Sequence, residues 1–238
     1  MEKIVIEEYI YGDEFSYYFL TDGYKILPIT TCSNRKFLQD NIGGIITDGV
    51  GGFAPNYKIS AESKLKLEEL AERIMLNLQA EGTPYMGIFG IDGVIQADGE
   101  IFVLQVANFF KDTDANTVLS LVEDNVYNLF ESCINGNFAD DYDEIKVSPR
   151  TSISCELKAK YDNKPISGLD LIDKNEISMS GLNFNSENQT LTSKIQKIII
   201  TKSASTLSRA SSALYEDIDC IDFEGKIFKT NITSLHED

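Results

Sequence analysis

Histidine is almost missing from this sequence: of 238 residues only one, His236, is histidine, and it lies near the C-terminal end. A Ser-His-Asp or Cys-His mechanism needs an imidazole held rigidly beside its nucleophile, and a histidine among the last few residues does not offer that. The cysteines Cys32, Cys133, Cys155 and Cys220 are widely spaced and form no C-x-x-C pair. Without close ligand pairs a zinc site is excluded, and the thiols read as reduced core or near-surface groups of a cytoplasmic protein. No apolar run is long enough to span a bilayer, and the opening residues carry no basic region followed by an apolar one, so neither a membrane span nor a signal peptide is expected. Basic clusters are scarce as well. Nothing longer than Arg35-Lys36 stands out in a chain of formal net charge −17, which excludes nucleic-acid backbones and anionic lipid as partners. No internal repeat and no low-complexity tract is present.

What is present is an ordinary globular composition, 42% hydrophobic and 25% charged. Residues 4–11, 14–20 and 24–30 read as a strand meander, with Asp22-Gly23 as a hairpin turn. A Gly-rich loop follows at 41–52, ending near Pro55. Residues 60–80 predict a helix with Ser60 as N-cap, Glu62 in the first turn and an apolar stripe through Leu67, Ala71 and Met75. Gly82 and Pro84 stop it. Strands are expected at 85–93, 94–96 and 100–110, a helix at 116–133, and strands at 152–158 and 195–201, with a helix at 205–215. The acidic run 140–144 reads as a solvated linker. It divides the chain into a large α/β lobe, residues 1–144, and a small strand-rich domain, residues 145–238, with helices expected on one face of a mostly antiparallel sheet.

Five segments, in order, resemble the phosphoribosylamine–glycine ligase (glycinamide ribonucleotide synthetase) family. Ile6-Glu7-Glu8-Tyr9-Ile10-Tyr11-Gly12-Asp13-Glu14-Phe15-Ser16 is similar to the family's V-E-E-F-L-x-G-E-E-F-S. Thr47-Asp48-Gly49-Val50-Gly51-Gly52-Phe53-Ala54-Pro55 is similar to N-T-G-G-M-G-A-Y-S-P. Glu81-Gly82-Thr83-Pro84-Tyr85-Met86-Gly87 is the third segment. In the fourth, Val103-Leu104-Gln105-Val106-Ala107-Asn108-Phe109-Phe110-Lys111-Asp112 stands where the family has V-L-E-F-N-A-R-F-G-D. Ile221-Asp222-Phe223-Glu224-Gly225 resembles the closing segment. The resemblance implies the C-terminal lobe of an ATP-grasp fold followed by a small C-terminal domain, with the family's upstream lobes expected to be missing.

The family joins glycine to phosphoribosylamine through an acyl phosphate, which needs ATP, magnesium and donors around the transferred phosphoryl group. By resemblance, Glu7, Glu8, Tyr9 and Ile10 form the adenine hinge and Glu14 holds the ribose hydroxyls. Read without the resemblance, Glu8 and Glu14 are solvent-facing strand residues. The positions that would hold magnesium are Gln105 and Ala107, which bring no carboxylate, and the family's phosphate-binding arginine is Phe109. Asp112 and Asp114 remain as metal candidates, or else as exposed loop carboxylates. The family's D-H-K is Asn34-Arg35-Lys36. Arg35, Lys36 and Asp112 are thus the remaining catalytic candidates, with the two cations otherwise surface groups on a loop. Asp48, in the loop that should cradle anions, repels them.

Apolar and turn positions match while polar ones do not, which points to a retained fold with lost chemistry. The expected function is a truncated ligase-like protein with no ligase activity of its own that retains weak nucleotide binding. The alternatives are part of an active ligase completed by a partner chain, and a non-enzymatic interaction module.

Overall fold

The computed structural model describes residues 4, 6–38, 46–161, 164–184, 190–191 and 197–233. His236, residues 41–45 of the Gly-rich segment and the side chain of Asp48 lie outside the described residues. In chain order the elements are β1 (Asp13–Thr21), β2 (Ile26–Phe37), β3 (Ile46–Ala54), α1 (Ala61–Ala80), β4 (Gly87–Ile95), β5 (Ile101–Ala107), α2 (Asp112–Leu119), α3 (Val126–Asn135) and the single turn α4 (Phe138–Asp141). There follow β6 (Thr151–Ala159), β7 (Pro165–Ile166), β8 (Ile177–Ser180), β9 (Asn183–Phe184), β10 (Thr190–Leu191), β11 (Lys197–Ala204), α5 (Leu207–Cys220) and β12 (Lys226–Ile227).

The main sheet runs β5-β4-β1-β2-β3-β6-β11-β8, with β12 pairing to β6, and its described pairs are antiparallel. A small second sheet joins β7, β10 and β9. The expected division between residues 144 and 145 falls in the connection before β6, and the sheet continues across it because β3 pairs with β6 from Gly51 to Ala54.

Strand alternation sends successive β1 side chains to opposite faces. Phe15, Tyr17 and Phe19 pack with Leu67, Ala71 and Met75 of α1, while Tyr18 and Leu20 pack with Val118, Leu129 and Phe138 from α2, α3 and α4. Helices therefore cover both faces of this part of the sheet, not the single face expected. Every β1 residue but Glu14 is buried, so each face had to be sheltered from water. A third cluster joins Ile153, Cys155, Leu157, Ile198 and Ile200 to Ala210, Leu214 and Ile218 of α5. All four cysteines are free.

The helix at 60–80 forms with Ser60 accepting from the Ser63 amide (3.1 Å) and Glu62 in the first turn. Elsewhere the structure corrects the expected boundaries. The described residues of 4–11 form no strand: β1 already has β2 and β4 as neighbours, and Ile4 and Ile6 stand 86% and 92% exposed with nothing to bury against. From residue 46 the Gly-rich segment is not a loop but the central strand β3. Its glycines serve close packing, since a Cβ on Gly51 would lie 2.6 Å from the Ser154 carbonyl and one on Gly52 would lie 2.4 Å from that of Ser33. The strand expected at 24–30 extends to Phe37, and that at 94–96 merges into β4. The helix expected at 116–133 is two helices. Apolar spacing runs through the break, but Asn125 caps a new start by accepting from the Asn128 amide (3.1 Å), and Val122 bridges to Val147. The last helix runs on to Cys220.

Leu214 is fully buried against β6 and β11, so Leu214→Ala is expected to cost about 2–5 kcal/mol in urea unfolding. Leu76→Ala, on the outer face of α1 at 60% exposure, is expected to cost under about 0.5 kcal/mol in the same assay.

Candidate functional site

Two cavities meet at Lys36. The first, about 240 Å³, is lined by Glu7, Glu8, Tyr9, Ile10 and Glu14 together with Arg35 and Lys36. Every residue assigned by resemblance to the adenine hinge and the ribose contact thus surrounds one space. The hinge residues themselves lie outside any strand or helix and are largely exposed, with Tyr9 at 73%. Tyr9 and Tyr11 meet edge to face, ring centroids 4.6 Å apart. Glu14 is only half-buried and pairs with Lys36 at 2.6 Å. Its carboxylate can offer two acceptor oxygens to adjacent hydroxyls, in competition with that ammonium.

The second cavity, about 620 Å³, is lined by Lys36, Lys111, Lys158 and Lys197 against Asp112 and Glu156. Four ammonium groups thus gather on one cavity of a chain of net charge −17, two of them, Lys36 and Lys111, paired with Glu14 and Asp92 beyond its lining. The lysines come from β2, the turn into α2, β6 and β11, so no cluster is visible along the chain. Lys158 pairs with Glu156 at 3.6 Å, and Lys197 pairs with Asp112. Burial pushes the Glu156 carboxyl up from its ordinary value while Lys158 and Lys197 hold it down.

Arg35 and Lys36 do not behave alike. Arg35 is buried on β2, not on a surface loop. Its Nε donates to the Ile232 carbonyl (3.0 Å) and its Nη1 to Ser33 Oγ (2.9 Å), and the guanidinium lies 5.6 Å from the Phe53 ring centroid. Arg35 thus ties β2 to a segment 197 residues away. Lys36, beside it, faces both cavities.

Asp112 and Asp114 also separate. Asp112 is exposed at the start of α2 and held by Lys197. Asp114 is 1% exposed, in the first turn of α2 rather than in an exposed loop, and accepts from Tyr18 Oη (2.7 Å) and Cys32 Sγ (3.6 Å). Burial pushes its carboxyl from 3.8 up to about 6, opposed by the Tyr18 hydroxyl and Lys111 and reinforced by Asp92. Asn34 completes the group with its amide nitrogen on both Asp114 oxygens (2.9 and 3.1 Å) and its oxygen on Lys111 Nζ (3.2 Å), since the reverse orientation would set oxygen against carboxylate.

Beyond these, the structure brings in two residues that the chain pattern did not single out, Asp92 and Ser16. Asp92 sits in the middle of β4, 4% exposed. Its Oδ1 accepts from Ser16 Oγ, and its Oδ2 accepts from Gln105 Nε2 (2.8 Å) and Lys111 Nζ (3.1 Å). A carboxylate inside the apolar run of 87–95 was the available signal, because a buried charge must have a partner. Ala107, the other position implied for magnesium, is buried on β5 opposite Gly90 and offers no ligand atom from its side chain.

The described residues at the implied magnesium positions do not fit a metal ion. Divalent magnesium needs several hard oxygen ligands with net negative charge. Among the described residues no three of His, Cys, Asp and Glu converge, and the carboxylate nearest Gln105 already holds an ammonium. No described helix is long and apolar enough to cross a membrane.

A scan against family models matches residues 1–115 to "Phosphoribosylglycinamide synthetase, ATP-grasp (A) domain". The phosphoribosylamine–glycine ligase of Neisseria meningitidis is 24% identical over 97% of this chain and 56% of its own length. The human trifunctional purine biosynthetic protein adenosine-3 is 25% identical over 97% of this chain and 24% of its own length. Among solved structures, the phosphoribosylamine–glycine ligase of Thermotoga maritima superposes with a TM-score of 0.79 at 19% identity, covering 94% of this chain and 56% of that one. The fold is therefore that of an ATP-grasp protein, and the chain spans about half the length of the phosphoribosylamine–glycine ligases it matches.

Asp114 predicts a pH dependence of stability. Its folded value, about 6, lies above the ordinary 3.8, so between these the folded state binds more protons than the unfolded one. Stability therefore falls as pH rises through that window, by about 3 kcal/mol for a shift of this size. Urea unfolding at pH 4, 5, 6 and 7 is expected to show this fall in the wild type and its loss in Asp114→Asn.

Proposed function

We propose that this chain, a relative of the phosphoribosylamine–glycine ligases of purine biosynthesis with an ATP-grasp fold, binds a nucleotide in the trough made by its two cavities and does not carry out ligation by itself. One observation carries the reading. Lys36 joins a nucleoside-sized space, lined by residues 7–10 and Glu14, to a lysine-lined one, while the carboxylate at the metal end is taken up by an internal cation.

The residues divide the work as follows. The 7–10 segment supplies backbone groups to a base, and Glu14 supplies carboxylate oxygens to the ribose hydroxyls. Lys36, Lys158 and Lys197 supply positive charge to the phosphates. Arg35, with its donors directed to the C-terminal segment and Ser33, positions β2 rather than touching the ligand. Activating glycine as an acyl phosphate would require magnesium to neutralise charge on the transferred phosphoryl group, and Gln105, Ala107 and Phe109 bring neither a metal-binding carboxylate nor a phosphate-binding arginine.

A second reading, part of an active ligase completed by a partner chain, is favoured by one observation. Val103, Leu104, Val106 and Phe109, on and just after the edge strand β5, are 42–57% exposed, as a surface awaiting a covering lobe would be.

Titration calorimetry separates these readings. ATP is expected to bind equally with and without magnesium, and Lys158→Met is expected to weaken ATP about tenfold while leaving adenosine unchanged. With glycine, phosphoribosylamine, ATP and magnesium present, no ADP release is expected from the chain alone. Binding that requires magnesium would favour the ligase reading. No heat with ATP or adenosine would overturn nucleotide binding and leave an interaction module.

A further inference from the structure

The magnesium positions implied by resemblance are not simply empty of ligands; the space beside them contains a lysine. Lys111 is the N-cap residue of α2, where a positive charge opposes the helix dipole. Its side chain is nevertheless only 14% exposed, and its ammonium reaches Asp92 Oδ2 at 3.1 Å, Ser16 Oγ at 3.2 Å and the Asn34 amide oxygen at 3.2 Å. An ammonium has three N–H donors, and here each finds an oxygen. Asp92 in turn is satisfied by Ser16, Gln105 and Lys111. A group placed against the dipole and inside the protein is there because something holds it, and that something is the Asp92 carboxylate.

The oxygen set around the Lys111 ammonium is also one that a hard divalent cation would accept: a carboxylate, a hydroxyl and an amide oxygen, with the Gln105 amide alongside. The geometry points to Lys111 as a tethered cation that occupies the divalent-metal position of the trough, supplying one fixed positive charge so that an anionic ligand enters without a metal ion. Two changes carry this. Gln105 removes the carboxylate charge that would attract a second positive charge, and Lys111 neutralises the one that remains at Asp92.

The inference deepens the nucleotide reading of the trough and rests on it for the identity of the ligand. Its test uses Mn²⁺ alone, so a failure here is distinct from a failure of ATP binding. Mn²⁺ binding is followed by electron paramagnetic resonance on the wild type, Lys111→Met and the double variant Lys111→Met with Asp92→Asn. The wild type is expected to leave Mn²⁺ free. Lys111→Met is expected to gain at least about tenfold in Mn²⁺ affinity, and the double variant to lose that gain. If Lys111→Met is unfolded without metal, because Asp92 is left buried and unpaired, Mn²⁺ is expected to restore its cooperative melting while having no such effect on the double variant.

Three results would overturn the proposal: wild-type Mn²⁺ binding as tight as that of Lys111→Met, a folded Lys111→Met with no gain, or a Lys111→Met that millimolar Mn²⁺ does not refold.

Discussion

A carboxylate buried in the middle of a sheet has to be met by positive charge and hydrogen bonds, because leaving it unpaired costs several kcal/mol. Asp92 is that carboxylate, at the centre of β4 and 4% exposed. Meeting it draws together Ser16 from β1, Gln105 from β5 and Lys111 from the entry to α2. Once Lys111 is anchored, α2 begins where it must, Asp114 comes under Tyr18 and Asn34, and Phe110 settles against the Tyr18 ring at a centroid separation of 4.7 Å. The floor of the lysine-lined cavity follows from this one ion pair.

Around that polar centre the fold is held by three apolar clusters, two on the opposite faces of the β1–β4 region and one between α5 and the β6–β11 pair. Where α2 lies on β6 the contact is made instead by hydroxyls: Thr117 donates to Ser154 (2.7 Å), Ser154 meets Thr201 (2.8 Å), and Ser120 meets Ser152 (2.7 Å). Such contacts fix register, because each buried hydroxyl must find its partner. The same helix that carries Lys111 and Asp112 is thereby held to the strand that carries Glu156 and Lys158. Two sides of the lysine-lined cavity are therefore parts of one packed unit, although their residues lie more than forty positions apart in the chain.

Set beside the ligases it resembles, the chain keeps the scaffold and rearranges the charges. An acidic protein has gathered four lysines around one cavity, each held by a carboxylate partner. Gln105 and Phe109 bring neither a carboxylate nor an arginine, groups that a metal-dependent phosphoryl transfer uses.

The sequence alone determined the local elements and the kinship. The α1 cap and stripe, the Asp22-Gly23 turn, the absence of metal-binding cysteine pairs and the ordered motifs all depend on near neighbours, which spacing reveals. It also placed Glu7, Glu8, Tyr9, Ile10 and Glu14 in one group, because they lie within eight residues of one another. Tertiary structure decided what depends on distant partners. The Gly-rich segment became a central strand because β2 and β6 close on it, and Arg35 became a structural tie because its acceptor is Ile232. Asp112 and Asp114, two residues apart, took opposite fates because one side of α2 faces water and the other faces Tyr18. The lysine wall and the Asp92–Lys111 pair were hidden for the same reason. Charges separated by tens of residues reveal themselves as partners only when the sheet has brought their strands together and removed the water between them.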